Sequence, residues 1–313
     1  MNIESLTDIG PATSKELRAA LRLALRTGVP QQETARTEHA LRLVELGHLN
    51  PAGLLVARYS GQMAGAILCQ PLAGAAGLIC PAQTRLSSSP AAVDDVESRL
   101  IETARAWLKS QGAKMVQCLL AESESTAAPV LLRNGFRHIT RLWYMKHDLD
   151  LAKDNHGLPT LQLQPYSRCD PLAFEEVLLA TYESTADCPE ITGVRNGPEI
   201  IAGHRAQGRH DPNRWWLAYT DREPVGVLLL TEMPEGPGWD LSYLGLVPPA
   251  RGRGIGRSLV EHALLTCRAQ GASCLTLSVD GRNHPAIRLY HDRGFHAYDE
   301  REVFLDILTR ESE

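Results

Sequence analysis

The chain has 313 residues, room for two domains of about 150 residues each, and its 43% apolar and 22% charged content is ordinary for domains that bury real cores. A net charge of −5 and a pI near 6.1 supply no basic field for nucleic acid. The apolar runs are far too short to cross a bilayer, and the first residues lack a basic region followed by an apolar core, so a cytoplasmic protein without membrane association is expected.

In the first half, Ala92–Glu97 reads as the opening of a helix, with Asp94, Asp95 and Glu97 in a first turn where carboxylates favour the dipole. Asp150–Pro159 is polar and turn-rich and reads as a linker. Beyond it, Leu161–Pro165 reads as a strand, and Pro171–Ala186 and Pro198–Gln207 as helices. Trp215–Tyr219 and Pro224–Thr231 alternate as strands joined by a turn at Asp221-Arg222. A longer strand, Trp239–Val247, ends at Pro248-Pro249; proline cannot continue a ladder, so this strand must part from its neighbour nearby. A helix from Gly256 to Gln270 stops at Gly271, a strand covers Cys274–Val279, and a last helix runs from about Pro285 to Arg293 before Gly294. The seven cysteines are scattered and form no C-x-x-C pair, so reduced thiols and no metal site are expected, with Cys267 and Cys274 as packing residues.

The segment Arg251-Gly-Arg-Gly-Ile-Gly256-Arg257 joins the long strand to the helix after it. Gly252, Gly254 and Gly256 let the backbone take φ > 0 and approach an anion closely, and the N–H groups of a helix start then converge on one point. Arg251, Arg253 and Arg257 add positive charge. The pattern suits a pyrophosphate, although an ordinary glycine turn before a helix looks the same. The spacing does not fit G-x-G-x-x-G, and no Gly-Lys-Ser/Thr follows.

Downstream stands Asn283-His-Pro-Ala-Ile-Arg-Leu-Tyr290-His-Asp-Arg-Gly294-Phe295. With Arg251–Gly256 as R-x-x-G-x-G and this segment as N-x-x-A-x-x-L-Y-x-x-x-G-F, the chain resembles the GNAT superfamily of acetyl-CoA-dependent N-acetyltransferases. The resemblance is strong over residues 158–308 and weak before them. It implies an α/β fold in which a mixed, mostly antiparallel central sheet is flanked by helices. Two copies of it are legible. Gly135-Phe136, Gly112-Ala113, Ala104 and Leu100 each precede a matching residue by 159 positions, and Ala57 and Gly65 precede Ala218 and Gly226 by 161. Such self-similarity indicates duplication of a whole domain, with copies at residues 1–150 and 158–313. The doubled layout is similar to that of mycothiol synthases, which acetylate the cysteinyl amine of a pseudo-disaccharide.

The copies differ at the glycine turn. Arg251–Gly256 corresponds to Ala92–Glu97, which puts three carboxylates and no glycine where a pyrophosphate would sit; Asn283 corresponds to Glu124 and Tyr290 to Leu131. The first copy is therefore expected to be degenerate, with a structural or substrate-shaping role, and the second to be catalytic.

The resemblance implies roles for particular residues of the second copy. The N–H groups of Arg251, Gly252, Arg253, Gly254, Ile255, Gly256 and Arg257 hold the coenzyme pyrophosphate. Leu246 and Val247 bond the pantetheine amides in a V-shaped opening between strands, and the Leu246 N–H polarises the thioester carbonyl. Asn283 reaches the coenzyme arm. Tyr290 protonates the departing thiolate, with packing of its helix as the alternative. A base must free the amine: Asp240 is the first candidate, because alternation over six residues puts it on the strand face of Leu246, and Glu232 is the second. Asp240 also reads as a solvated residue opening the strand. Transfer is expected to be direct, in a ternary complex with acetyl-CoA as co-substrate. The acceptor is a small-molecule amine or a protein N-terminal or lysine amine, and the acidic Glu183, Asp187 and Glu190 would attract a cation, although a solvated loop looks alike. A monomer or homodimer is expected, and a non-catalytic acyl-CoA sensor is the other functional class.

Overall fold

A computed structural model describes residues 6–86, 90–149, 161–234 and 236–308; the linker read at Asp150–Pro159 lies outside the described residues. Two compact units form, one from Met1–Ile139 with Arg301–Glu313 and the other from Thr140–Glu300. Among the described residues no helix is long and apolar enough to cross a membrane.

The first unit contains β1 (Leu6–Pro11), α1 (Leu17–Ala24), α2 (Pro30–Glu45), β2 (Leu54–Tyr59), β3 (Gln62–Leu72), β4 (Ala76–Ile79), the short β5 (Gln83–Thr84), α3 (Pro90–Ser110), β6 (Met115–Leu120) and α4 (Ala128–Arg133). Alternation along its strands sorts the core. Leu54, Val56 and Ala66 pack with Leu21 and Leu23 of α1, while Leu55, Ala57 and Ile67 pack with Leu100, Ile101 and Ala104 of α3. The chain continues through β7 (Arg137–Asp148), β8 (Gln162–Pro165), α5 (Pro171–Thr181), α6 (Gly197–Arg205), β9 (Trp215–Thr220), β10 (Glu223–Glu232), β11 (Gly238–Leu246), α7 (Ile255–Ala269), β12 (Cys274–Asp280), α8 (His284–Asp292) and β13 (His296–Ile307). In the second unit Trp215, Leu217, Val227 and Leu229 pack with α5 and α6, while Trp216, Leu228 and Leu230 pack with α7 and α8.

Each unit is a mixed, mostly antiparallel sheet between helices, as expected. The parallel contacts are β4 with β6 and β11 with β12. The units do not follow a single cut in the chain. Leu142–Asp148 of β7 pair with β12 inside the second unit, and Glu302–Ile307 of β13 pair with β6 inside the first. Each sheet is completed by the strand that follows the other copy in sequence.

The duplication shows in the pairing. Ala57 lies opposite Gly65 and Ala218 opposite Gly226, and Gly112, Gly135, Gly271 and Gly294 all have positive φ. α3 ends 159 residues before α7 ends, but it starts at Pro90, six residues earlier than that offset would place it. Ala92–Glu97 is therefore helix where the second copy has its glycine turn. This corrects the reading of Asp94, Asp95 and Glu97 as a first turn: they lie in the second turn and beyond, Asp94 pairs with Arg133 at 3.0 Å, and burial lifts the Glu97 carboxyl to about 7. α5 is also shorter than its apolar spacing suggested. It stops at Thr181 rather than Ala186, and Ser184 takes a left-handed φ of 50° that helix cannot accommodate.

Candidate active site

β11 and β12 pair only through Gly238–Asp240 with Cys274–Thr276. Beyond that point β11 stays with β10 and β12 stays with β7, so the two strands part after Asp240 and Thr276. The register on β10 shifts between Leu229 and Leu230, leaving Ser242 as an extra residue in a bulge. Trp239 and Leu241 face the α7 side before the bulge; Leu244 and Leu246 face it afterwards, while Tyr243 turns to the α5 side. Asp240 and Leu246 therefore lie on opposite faces. The period-2 count that joined them fails because the bulge adds one residue.

The strand edge also departs from expectation. The Val247 N–H donates to the Val225 carbonyl at 3.0 Å, and the Val247 carbonyl accepts from the Ala250 N–H at 2.9 Å. Both polar groups are used by the fold, so Val247 has none for a pantetheine amide. With the Val247 N–H directed at β10, ladder alternation points the N–H of Leu246, and the N–H and C=O of Leu244 two residues earlier, into the opening, while the Leu246 carbonyl is taken by Arg251 at 3.0 Å. Leu244 is a donor that sequence reading missed, since nothing in the sequence marks which peptide groups the ladder leaves free.

Arg251 serves a different purpose from its neighbours. Its N–H donates to Pro248 O at 3.2 Å. Its guanidinium donates to the carbonyls of Leu246 (3.0 Å), Thr181 (3.0 Å), Glu183 (2.7 Å) and Ser184 (3.0 Å). The side chain thus ties the end of β11 to the carbonyls at and just past the end of α5, and the run of free N–H groups begins at Gly252 rather than Arg251. A hydrogen bond to a charged group contributes about 1.5–3 kcal/mol net of exchange with water, and less where the group is partly exposed. Arg251→Ala is expected to lower the thermal midpoint by roughly 4–8 °C, the shift about 2 kcal/mol gives in a domain of this size. Calorimetry checks it; an unchanged midpoint would mean that the clamp adds nothing.

Gly252 and Gly254 have φ of 74° and 80°, and a Cβ on either would point into open space. Gly254 caps α7. Among the described residues no carbonyl meets the N–H groups of Gly252 through Arg257. These six donors stand at the positive end of a 15-residue helix, a place that favours anions. Arg253 is exposed, and Arg257 is shared with Glu261 at 3.1 Å.

Tyr290 is buried on α8, against Phe295 with ring centroids 5.7 Å apart. Its hydroxyl has no hydrogen-bond partner among the described residues; burial, then the Asp187 and Tyr243 charges, raise its pKa. Asn283 caps α8, accepting from Ala286 N–H at 3.3 Å. Asp240 lies where the strands part. Burial pushes its carboxyl up to about 6, opposed by a 2.7 Å hydrogen bond from the Thr276 hydroxyl. Glu232, the second candidate base, pairs with Arg209 at 3.4 Å in an exposed ion pair. The seven cysteines are all free, and burial pushes the Cys267 thiol up to about 12.

Sequence reading missed the carboxylate that closes β12. Asp280 is fully buried, and its oxygens accept from Thr140 Oγ1 (2.5 Å), Arg282 N (2.8 Å), Arg282 Nη2 (2.7 Å) and the Cys188 N–H (3.0 Å). Those bonds outweigh its burial and hold its carboxyl down to about 2. Arg282 also grips Glu190 at 2.6 and 3.0 Å. Tyr243, turned inward by the bulge, bonds Thr181 Oγ1 at 2.8 Å and stacks on Tyr182 at 5.2 Å.

A mixed sheet with one parallel pair, present in two copies of which one parts beside a glycine-led helix, defines a tandem protein of GNAT fold. Residues 178–295 match the family described as "Acetyltransferase (GNAT) family". The chain is 26% identical over 277 residues to a mycothiol acetyltransferase of Nocardia farcinica, covering 81% of this chain and 82% of the relative. It is 28% identical to that of Beutenbergia cavernae over 51% of this chain and 57% of the relative. An 89-residue stretch is 40% identical to the peptidyl-lysine N-acetyltransferase YjaB of Salmonella typhimurium, covering 28% of this chain and 54% of the relative. The chain thus spans just over half the length of the latter two. In fold it is similar to a GCN5-related N-acetyltransferase from Sphaerobacter thermophilus, with a TM-score of 0.64 at 18% identity over 98% of this chain and 97% of that one.

Proposed function

We propose that the protein is an acetyl-CoA-dependent N-acetyltransferase with its active site in the second unit, passing the acetyl group directly to a primary amine in a ternary complex. The observation that carries this reading is the continuity of the opening: the free edge at Leu244 and Leu246 leads to the six unengaged N–H groups of Gly252–Arg257. The cradle binds the pyrophosphate of acetyl-CoA, the Leu246 edge bonds the pantetheine arm, and a Leu244 or Leu246 N–H polarises the thioester carbonyl. Asn283 borders the arm. Asp240 takes a proton from the incoming ammonium through water, and the freed amine attacks the carbonyl carbon. As the tetrahedral adduct collapses, the Tyr290 hydroxyl protonates the leaving sulfur, and its phenolate regains the second proton that the nitrogen sheds.

The acceptor favoured by the relatives is a small-molecule amine of the mycothiol type, because that similarity extends over 81% of the chain. A lysine side chain is the second reading, supported by the shorter stretch shared with YjaB. Protection of the protein against heat by acetyl-CoA, followed by thiol release on adding primary amines, tests the proposal. Protection without release from any amine would leave an acyl-CoA sensor; no protection would remove the coenzyme assignment.

Asp240 gives a pH signature. A base with a pKa of about 6 works when deprotonated, so kcat should fall as pH drops through about 6 and level off above it. In Asp240→Asn that limb should vanish and kcat drop by about 100-fold. A wild-type profile retained in the variant would assign the limb to another group.

A further inference from the structure

Three acidic residues follow α5, and their surroundings separate them. Glu183 is exposed, and Glu190 is tied to Arg282. Asp187 is turned inward. Its N–H bonds Thr185 Oγ1 at 3.0 Å. Its oxygen lies within 4.8 Å of those of Asp280 and of Cys188 Sγ. Among the described residues no lysine or arginine forms an ion pair with Asp187, whereas Asp280 and Glu190 share Arg282.

The path of the loop places this carboxylate. Arg251, just past the end of β11, holds the carbonyls of Thr181, Glu183 and Ser184. Asp280, the last residue of β12, holds the N–H of Cys188. Between Ser184 and Cys188 the chain therefore crosses from the end of one parted strand to the end of the other. Asp187 lies on that crossing, near enough for its charge to act on Tyr290, Tyr243 and Tyr182. It is a carboxylate with no ion-pair partner of its own among the described residues, although the Arg282 charge acts on it, and it lies on the loop that crosses the opening.

We propose that Asp187 receives the ammonium group of the acceptor and makes the enzyme select cationic amines, separately from the base that deprotonates them. This rests on the transferase reading given above. Asp280 is committed to Arg282, Thr140 and Cys188 and acts as the strut that holds Asp187 in place. A cation brought beside Asp187 gains the pairing that the fold withholds, and a neutral isostere gains nothing.

The test uses the full chain with acetyl-CoA, alaninamide as a cationic acceptor, lactamide as its uncharged competitor, and the best amine from the thiol-release screen. Asp187→Asn is expected to raise the amine KM at least tenfold, with kcat within about threefold and acetyl-CoA protection unchanged. Asp187→Glu is expected to restore part of the amine affinity. Alaninamide should inhibit or react with the wild type at concentrations where lactamide does neither, and Asp187→Asn should erase that difference. An unchanged amine KM in a folded Asp187→Asn protein would overturn the proposal, as would a fall in kcat alone. If Asp187→Asn does not fold, equal behaviour of alaninamide and lactamide toward the wild type would overturn it instead. Thiol release from no amine would refute the transferase reading, and this inference with it.

Discussion

Tyr290→Phe is expected to lower kcat by about 100- to 1000-fold while acetyl-CoA still protects the protein from heat. The substitution removes one oxygen from a side chain whose ring is fixed against Phe295 and the core around Leu277 and Ile287. Packing is kept, and no hydrogen bond within the described residues is lost. The tyrosine must remain protonated to serve as an acid, and its surroundings secure that: burial and nearby negative charge both disfavour the phenolate. The same surroundings make a phenolate formed after proton transfer costly, so it should be reprotonated at once by the proton leaving the nitrogen. A variant with wild-type turnover would show that the thiolate leaves unprotonated or takes its proton from water. Rates should then be followed with acyl thioesters of different leaving-group acidity, and only an enzyme lacking this acid should be strongly sensitive to that acidity.

Gly254→Asp should abolish coenzyme binding. At φ 80° a side chain costs about 1–2 kcal/mol of backbone strain, and here it would also bring a carboxylate to the point where the pyrophosphate is expected. The apo protein should tolerate the change, because a Cβ at this position meets nothing within 4 Å. The two states are then separable in one measurement. Acetyl-CoA at about 100 times its dissociation constant stabilises the wild type by about 2.7 kcal/mol, and the variant should show no shift. The experiment repeats in miniature the difference between the copies, since the first carries Asp94, Asp95 and Glu97 on the corresponding stretch. A full shift in the variant would mean that coenzyme sits elsewhere.

Much of this was legible from residues that leave a local trace. Asp221 and Arg222 both take positive φ in the hairpin turn, and the glycines after β11 lie within a residue or two of where punctuation placed them. The parting of β11 from its neighbour followed from Pro248-Pro249, although it begins earlier, after Asp240. What stayed hidden depends on distant partners. Ser242 does not announce a bulge, because the extra residue exists only relative to β10. Arg251 looked like a phosphate ligand by its place in the motif, but the carbonyls of residues about 70 positions earlier claim it. Asp187 and Asp280, 93 positions apart, meet only because the loop after α5 returns to the end of β12. In the first copy, by contrast, the loss of glycine already foretold the loss of the cradle, and the extra turns of α3 show what replaced it.

The exchange of closing strands has a consequence for biosynthesis. β6 is made well before its antiparallel partner, Glu302–Ile307, because the whole second copy lies between them in sequence. The first copy therefore cannot finish its sheet before the second has been made, and the nascent chain must carry an unpaired edge through the synthesis of the whole second copy. The second copy has its closing strand, Leu142–Asp148, from the outset. Completion should run against the order of synthesis: the later half seals first and the earlier half waits for it. Damage would be correspondingly asymmetric, since disrupting Glu302–Ile307 would strip the first unit of a strand while leaving Thr140–Glu300 of the second untouched.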